Sequence, residues 1–170
     1  GSYKQTYNRT ADFPEDWVLE KAEEGLMISN VTFGEGEWIV VMSESKVDEQ
    51  RWFFSETFPA ADIQQEWDEG FSLQDIIYAD GGWFVLMATG TKITEDAWAT
   101  RASFTELETF IRTKWNDSKE ILSLSYGNGL WCAVLANGTG FSTQSYKKSI
   151  DFPNDFINEN YAKGLRISEV

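Results

Sequence analysis

The Asp and Glu side chains are the most evident candidates for catalytic groups in this sequence. The 170 residues include 28 Asp and Glu and no His, and two carboxyl groups on either side of a glycosidic bond could hydrolyse it. At this abundance, however, close pairs arise by chance, and most of them fall on predicted helix surfaces. The absence of His removes the commonest general base and the commonest zinc ligand. We therefore predict no enzyme activity, no catalytic residue and no metal site.

Glycine-rich tripeptides at residues 34–36 and 127–129 match the G-x-G start of a dinucleotide-binding loop. Such a loop must open a helix, whereas these tripeptides join two predicted strands. We therefore assign their glycines to tight turns and predict no cofactor. Cys132 lies inside an apolar run, where a buried small hydrophobe is more frequent than a nucleophile.

The same turns belong to a pattern that recurs with a period of roughly 45 residues. An aromatic residue, the turn, a tryptophan and an apolar run follow one another at residues 33–42, 78–87 and 126–135. An earlier aromatic residue starts each of four units: Tyr7, Trp52, Trp98 and Tyr146. Self-similarity of this kind is typical of a supersecondary unit that buries its apolar face only against its neighbours.

Each unit is predicted to form a helix, a hairpin and a third strand. A phenylalanine precedes the helix, and in three copies proline follows it, which suits a first helical turn. Apolar residues four positions apart give the helix one buried face. The Trp-led strand is apolar on both faces and should be covered on both sides. We therefore expect Trp38, Trp83 and Trp131 to be equivalent and buried.

These elements predict an α+β fold in a single repeat domain over residues 1–170, of which Gly1 and Ser2 resemble a cloning remnant. The last unit stops before its Trp-led strand, which leaves about 3.5 tandem repeats. The expected elements are four helices, four first strands, three central strands and four third strands. We favour a radial, propeller-like arrangement, with a linear solenoid as the alternative, and the oligomeric state stays open.

The net charge of −14 argues against partners that require a basic surface. Nucleic acids and anionic membranes bind largely through Lys and Arg, so we predict neither as a partner. A basic protein partner is electrostatically permitted. No stretch approaches the roughly 20 apolar residues that span a bilayer, and the single cysteine favours a reducing compartment. The expected location is cytoplasmic or nuclear.

Residues 137–146, with the sequence NGTGFSTQSY, and the following Asp151, Phe152 and Pro153 carry a resemblance to a known family. Together with the helix and the Trp-led strand, they resemble the tandem repeats that follow the catalytic domain in plant casein kinase I-type nuclear kinases. Such repeats also occur in bacterial multidomain proteins. The resemblance runs from about Tyr3 to Val170 and implies a non-catalytic accessory region that binds or positions a partner.

Loops between the central and third strands are the predicted recognition surface, because loops on a rigid scaffold often carry binding residues. These loops should lie on one side of the domain, at residues 43–49, 88–96 and 136–143. The predicted contact residues are Lys46, Lys92, Thr139 and Phe141. We interpret the chain as a protein-interaction module, and the alternative is a carbohydrate-binding module that uses aromatic and Gly/Thr-rich loop residues.

Overall fold

The computed structural model describes residues 4–168, so that Gly1 and Ser2, interpreted above as a cloning remnant, lie outside the described residues. Within this range the chain forms four helices: α1 (Glu15–Glu23), α2 (Ala60–Asp68), α3 (Phe104–Asn116) and α4 (Asn154–Ala162). The strands of the same range are β1 (Gln5–Thr10), β2 (Leu26–Gly34), β3 (Glu37–Glu44), β4 (Glu49–Ser55), β5 (Ser72–Ala79), β6 (Gly82–Thr89), β7 (Ala97–Arg101), β8 (Glu120–Gly127) and β9 (Leu130–Ala136).

The strands form three open, antiparallel sheets with the orders β1-β3-β2, β4-β6-β5 and β7-β9-β8. In every sheet the Trp-led strand is central, and the strands before and after the helix are the two edges. Each sheet with its helix is called a unit below: unit 1 (residues 5–44), unit 2 (49–89) and unit 3 (97–136). The predicted α+β repeat with a central Trp-led strand is therefore confirmed.

Three of the four helices begin two residues after their phenylalanine, as the sequence predicts, whereas α3 begins at Phe104 itself. Proline directly precedes α1, α2 and α4, whereas α3 begins after Ser103, whose hydroxyl accepts from the Glu106 N–H at 3.3 Å. Gly25 follows α1 with a φ of 83°, the left-handed conformation in which helices often end, and Ser118 adopts it after α3 with a φ of 61°. The third copy lacks the proline and the glycine that flank the other helices, yet it forms the same helix and three-stranded sheet.

A register shift interrupts the hairpin of every unit at the same place, directly after Ile28, Leu73 and Ile121. These residues lie on edge strands, whose outward backbone groups need partners. Gln50 of unit 2 accepts from the Ile28 N–H at 2.8 Å and donates to the Ile28 C=O at 2.9 Å. Gln144 binds both backbone groups of Ile121 in the same way, each at 2.6 Å.

In unit 2 the corresponding partner is Asp96, whose carboxylate only accepts hydrogen bonds. It accepts from the Leu73 N–H and from the indole N–H of Trp67, both at 2.7 Å. The Leu73 C=O accepts instead from the side-chain amide of Gln74 at 2.9 Å. Every unit is thus tied to the segment that follows it, through contacts that we call inter-unit clamps: Gln50–Ile28, Asp96–Leu73 and Gln144–Ile121.

The Gln50→Ala variant should lower the free energy of unfolding by about 1–3 kcal/mol, because two half-buried backbone groups of Ile28 lose their partners. Urea unfolding followed by circular dichroism measures the difference. Gln64→Ala, on the exposed face of α2, is the control and should change stability by no more than about 0.5 kcal/mol. Equal losses in the two variants would show that the clamp contributes nothing specific.

The prediction that every Trp-led strand is covered on both faces is wrong for β3, where Ile39 is 36% exposed. The central strand of unit 2 does pack against neighbours on both of its faces, as its apolar sequence predicts. On β6, Trp83 belongs to a cluster with α2 and with β9 of unit 3, while Phe84 belongs to the core of unit 1. Trp38 and Trp83 are accordingly 1% and 0% exposed. Trp131 takes the equivalent position on β9 but is only half-buried, so the prediction that all three tryptophans are buried is wrong for Trp131. Its side of β9 is not covered by a further sheet within residues 4–168.

The fourth copy, residues 141–168, has a helix but no strand. The segment that leads to Tyr146, predicted as the fourth third strand, and the described residues after α4, predicted to belong to the fourth first strand, are both irregular. A strand requires a partner for its backbone groups, and within residues 4–168 no Trp-led strand pairs with either segment. None of the described residues of α4 is buried, and Phe152 is 58% exposed. The expectation of four first and four third strands is therefore wrong.

Candidate functional site

The predicted recognition loops lie side by side at one end of the sheets. The Asp48 N–H donates to the C=O of Thr89 at 3.0 Å, which joins the first loop to the second. The Thr94 N–H donates to the C=O of Asn137, also at 3.0 Å, which joins the second loop to the third. The three loops therefore form one continuous edge of the domain, called the loop edge below.

The four predicted contact residues differ in their freedom to bind a partner. Lys46 and Lys92 are exposed, and Phe141 is 39% exposed. Thr139 is half-buried: its hydroxyl donates to the Glu120 carboxylate at 3.1 Å and accepts from the Phe141 N–H at 3.2 Å. Three of the four side chains thus reach solvent, whereas Thr139 holds its own loop together.

An open groove lies at the opposite end of the sheets, where the hairpins turn. Its volume is about 680 Å³. We call it the hairpin groove, and three units contribute to its lining: Phe13, Trp38, Phe54, Ser55, Glu56, residues 78–82 and Asn128. None of the four predicted contact residues belongs to this lining, so the sequence-based prediction of the site did not include this groove.

Aromatic rings form the floor of the hairpin groove. The Phe54 ring lies 5.4 Å from the Trp38 ring at 90° and 5.3 Å from the Phe13 ring at 72°. Phe84 packs beneath, 5.1 Å from Phe54. Edge-to-face contacts of this kind are favourable and fix ring orientation. Phe54 is nevertheless 48% exposed, while Trp38 and Phe84 are buried. The groove therefore presents one rigidly supported ring to solvent.

Two exposed carboxylates, Glu56 and Asp80, line the groove beside this ring. Glu56 follows β4 directly, and Asp80 forms the β5–β6 turn together with Gly81. Both turn residues have positive φ, 48° and 81°, as expected of the two-residue hairpin turns that match strand twist. Both residues of this two-residue turn line the groove, so the carboxylate of Asp80 stays close to it.

In the fourth copy a lysine occupies the position that Phe54 has in unit 2. Lys148 stands two residues after Tyr146 and five before a proline, as Phe54 stands after Trp52. The Lys148 ammonium lies 5.1 Å from the Trp131 ring centroid and 5.5 Å from the Phe104 ring centroid. These distances fall in the cation–π range. The Phe/Trp pair of one repeat thus holds an ammonium group.

Phe54 could have been found in the sequence by comparing the variable positions of the repeat. The residues two positions after the starting aromatic are Arg9, Phe54, Thr100 and Lys148, so only one copy has an aromatic there. The prediction instead relied on loops that connect the units. No local pattern places the end of β4 beside a turn of the next hairpin, because that proximity is created by the sheet.

Asp75 is the carboxyl group whose environment most resembles that of a catalytic acid, because strongly shifted pKa values often mark active sites. Burial raises the pKa of its carboxyl group, and the Ser123 hydroxyl donates to it at 2.8 Å. The contact lies between β5 of unit 2 and β8 of unit 3, outside the hairpin groove. We therefore assign Asp75 to the packing of two units rather than to catalysis.

Metal-ligating clusters and membrane-spanning helices are two further features that could point to a function. Residues 4–168 contain no group of three or more His, Cys, Asp or Glu side chains that could hold a metal ion. Over the same residues, every helix falls short of the length and apolar character that crossing a bilayer would require. Cys132 is buried, as predicted for a small hydrophobe.

The chain belongs to the family described as Domain of unknown function (DUF7477). The family model matches residues 1–89 and, a second time, residues 75–170. Two successive matches agree with the repeated units of the structure. No curated protein and no solved structure matches the chain. Any function must therefore be argued from the geometry described above.

Proposed function

We propose that this chain is a non-catalytic protein-interaction module that binds its partner in the hairpin groove. The observation that carries the proposal is the half-exposed ring of Phe54, held by three other aromatic rings on a rigid scaffold. Aromatic anchors at well-packed positions supply most of the binding energy of protein interfaces. The groove is open to solvent rather than enclosed, which suits a side chain projecting from a protein better than a small molecule that must be buried.

Selection of a random peptide library against the protein tests this proposal. Selected peptides should bind Phe54→Ala at least about tenfold more weakly than the wild type, as expected when an anchoring ring is lost. Tyr7→Ala is the matched control: its ring is 71% exposed on β1, away from the groove. Melting temperatures of both variants should be recorded, so that lost binding is not confused with lost folding.

A second variant distinguishes the groove from the loop edge. It replaces Lys46, Lys92 and Phe141 together by Ala, and leaves Thr139, which supports its loop. Peptide binding should persist in this variant if the groove is the site. Binding that is lost here but kept in Phe54→Ala would place recognition on the loop edge instead, as the sequence first suggested.

We further propose that the module is an accessory region of a larger protein with a cytoplasmic or nuclear location. The resemblance to repeats that follow a kinase catalytic domain and the single cysteine support this context.

The radial, propeller-like arrangement of the units also stays a prediction. Small-angle scattering of a chain with more units would distinguish a ring from a linear solenoid.

Carbohydrate binding is the alternative function, and the composition of the groove favours it specifically. An exposed ring can stack on the apolar face of a sugar, while Glu56, Asp80 and Asn128 could accept or donate hydrogen bonds to hydroxyl groups. Glycan-array screening separates the two functions. A saturable glycan signal that disappears in Phe54→Ala, with no peptide selected, would favour the carbohydrate function.

A further inference from the structure

We propose that the hairpin groove receives a Lys or Arg side chain of a protein partner, with the cation over Phe54 and between the carboxylates of Glu56 and Asp80. This inference rests on the proposed function, since it names the partner chemistry of the same groove. The aliphatic stem of either side chain would cover the exposed ring, and the charged head would reach the acidic rim.

The protein itself shows that its repeated aromatic pair accepts a cation. Phe104 and Trp131 of unit 3 are the counterparts of Phe13 and Trp38 in unit 1, and the Lys148 ammonium lies over both of them. In the hairpin groove Phe54 takes the place of that lysine. The aromatic surface consequently extends further outward, where a cation from another chain can contact it.

A second internal example combines an aromatic ring with carboxylates. The Arg51 guanidinium lies 4.0 Å from the centroid of the Phe71 ring. It also donates to Glu66 at 2.9 Å and to Glu49 at 3.1 Å. This fold therefore already binds a cation through a ring and acidic groups, the two components that Phe54, Glu56 and Asp80 provide in the groove.

The negative charge of the groove also favours a Lys or Arg side chain as its occupant. Among the described residues that line the groove, the charged ones are Glu56 and Asp80, and neither forms an ion pair within residues 4–168. Two uncompensated negative groups beside one ring attract a cation and repel an acidic partner. The overall charge of −14 adds a long-range attraction for basic segments.

The test uses peptides selected against the wild-type protein from a random library. Each binder is synthesised again with every Lys replaced by norleucine, which keeps the four-carbon stem without the ammonium, and every Arg by citrulline, which keeps the shape without the charge. We expect binding to weaken at least about tenfold. The double variant Glu56→Gln and Asp80→Asn should weaken the original peptides to a similar degree. Asn tolerates the positive φ of position 80.

The matched control is the double variant Glu23→Gln and Asp68→Asn, which removes the same charge from exposed positions on α1 and α2. It should change binding less than about twofold at physiological salt. Equal losses in the two double variants would overturn the inference, since they would indicate general charge attraction. Binders that need Phe54 but tolerate norleucine and citrulline would also overturn it, while leaving the proposed function intact. Failure to select any peptide would overturn both.

Discussion

Replacement of Trp83 by alanine is expected to lower the free energy of unfolding by about 3–5 kcal/mol, the cost of removing a large ring from a packed core. Trp83 is fully buried, with Phe58 at 5.2 Å and Tyr78 at 5.3 Å from its ring. Its cluster also joins unit 2 to β9 of unit 3. The loss should therefore loosen the contact between units as well as the unit itself.

Trp131→Ala provides the comparison within the same chain. Trp131 occupies the equivalent position of β9 but is half-buried, so its removal leaves a smaller cavity and should cost less. Urea unfolding of both variants under the same conditions measures the difference. The indole N–H of Trp83 finds no acceptor in the described part of the chain. Removing this unsatisfied group should bring the loss towards the lower end of the expected range. Equal losses would contradict the account of the open side of unit 3.

The Gly127→Ala variant is expected to lose about 1–3 kcal/mol of stability, because a methyl group has no room at this position. A Cβ on Gly127 would lie 1.9 Å from Cγ and 2.0 Å from Cβ of Tyr78, so the hairpin of unit 2 would have to move. The φ of Gly127 is not in the left-handed region. The expected loss is therefore steric and does not include backbone strain.

Gly34→Ala is the matched control, because Gly34 ends β2 just as Gly127 ends β8. A Cβ at Gly34 would meet no atom within 4 Å. Stability should then change little, or rise by about 0.4–1 kcal/mol through the reduced entropy of the unfolded chain. Thermal unfolding of both variants checks the pair. A Gly127→Ala variant as stable as Gly34→Ala would show that the two hairpins are not in firm contact.

Much of the fold was predictable because each unit repeats the same local constraints. Proline before the helix, a left-handed residue after it and a Trp-led strand that is apolar on both faces each have a local physical cause. The errors occurred where a residue depends on a strand or sheet that residues 4–168 do not contain. The segment around Tyr146 and the residues after α4 resemble the strands of the other copies, but within residues 4–168 no central strand pairs with them. Trp131 lies in the same sequence pattern as Trp38 and Trp83, yet no further sheet within residues 4–168 covers its side of β9.

The candidate site was harder to predict for a related reason. Loop residues such as Lys46 and Lys92 can be found by their variation between copies, and the structure leaves both exposed. The hairpin groove depends instead on the meeting of Phe54, Asp80 and Asn128 from separate elements. Their proximity follows from how successive sheets stack. A repeat pattern predicts that sheets stack, but it does not specify which side chains face each other at their ends.

The inter-unit clamps have a consequence for how such a chain can evolve by duplication. Gln50 and Gln144 recognise only the backbone N–H and C=O of Ile28 and Ile121, and every residue other than proline offers both groups. A copied unit that keeps a glutamine two positions before its first aromatic residue would therefore fit any other unit, whatever side chain its new neighbour carries at that position. Asp96 and Gln74 together bind the same two backbone groups of Leu73, so this joint also forms without the glutamine. Gain, loss or exchange of whole units would thus disturb this joint little, and the residues of the hairpin groove would be left free to diverge.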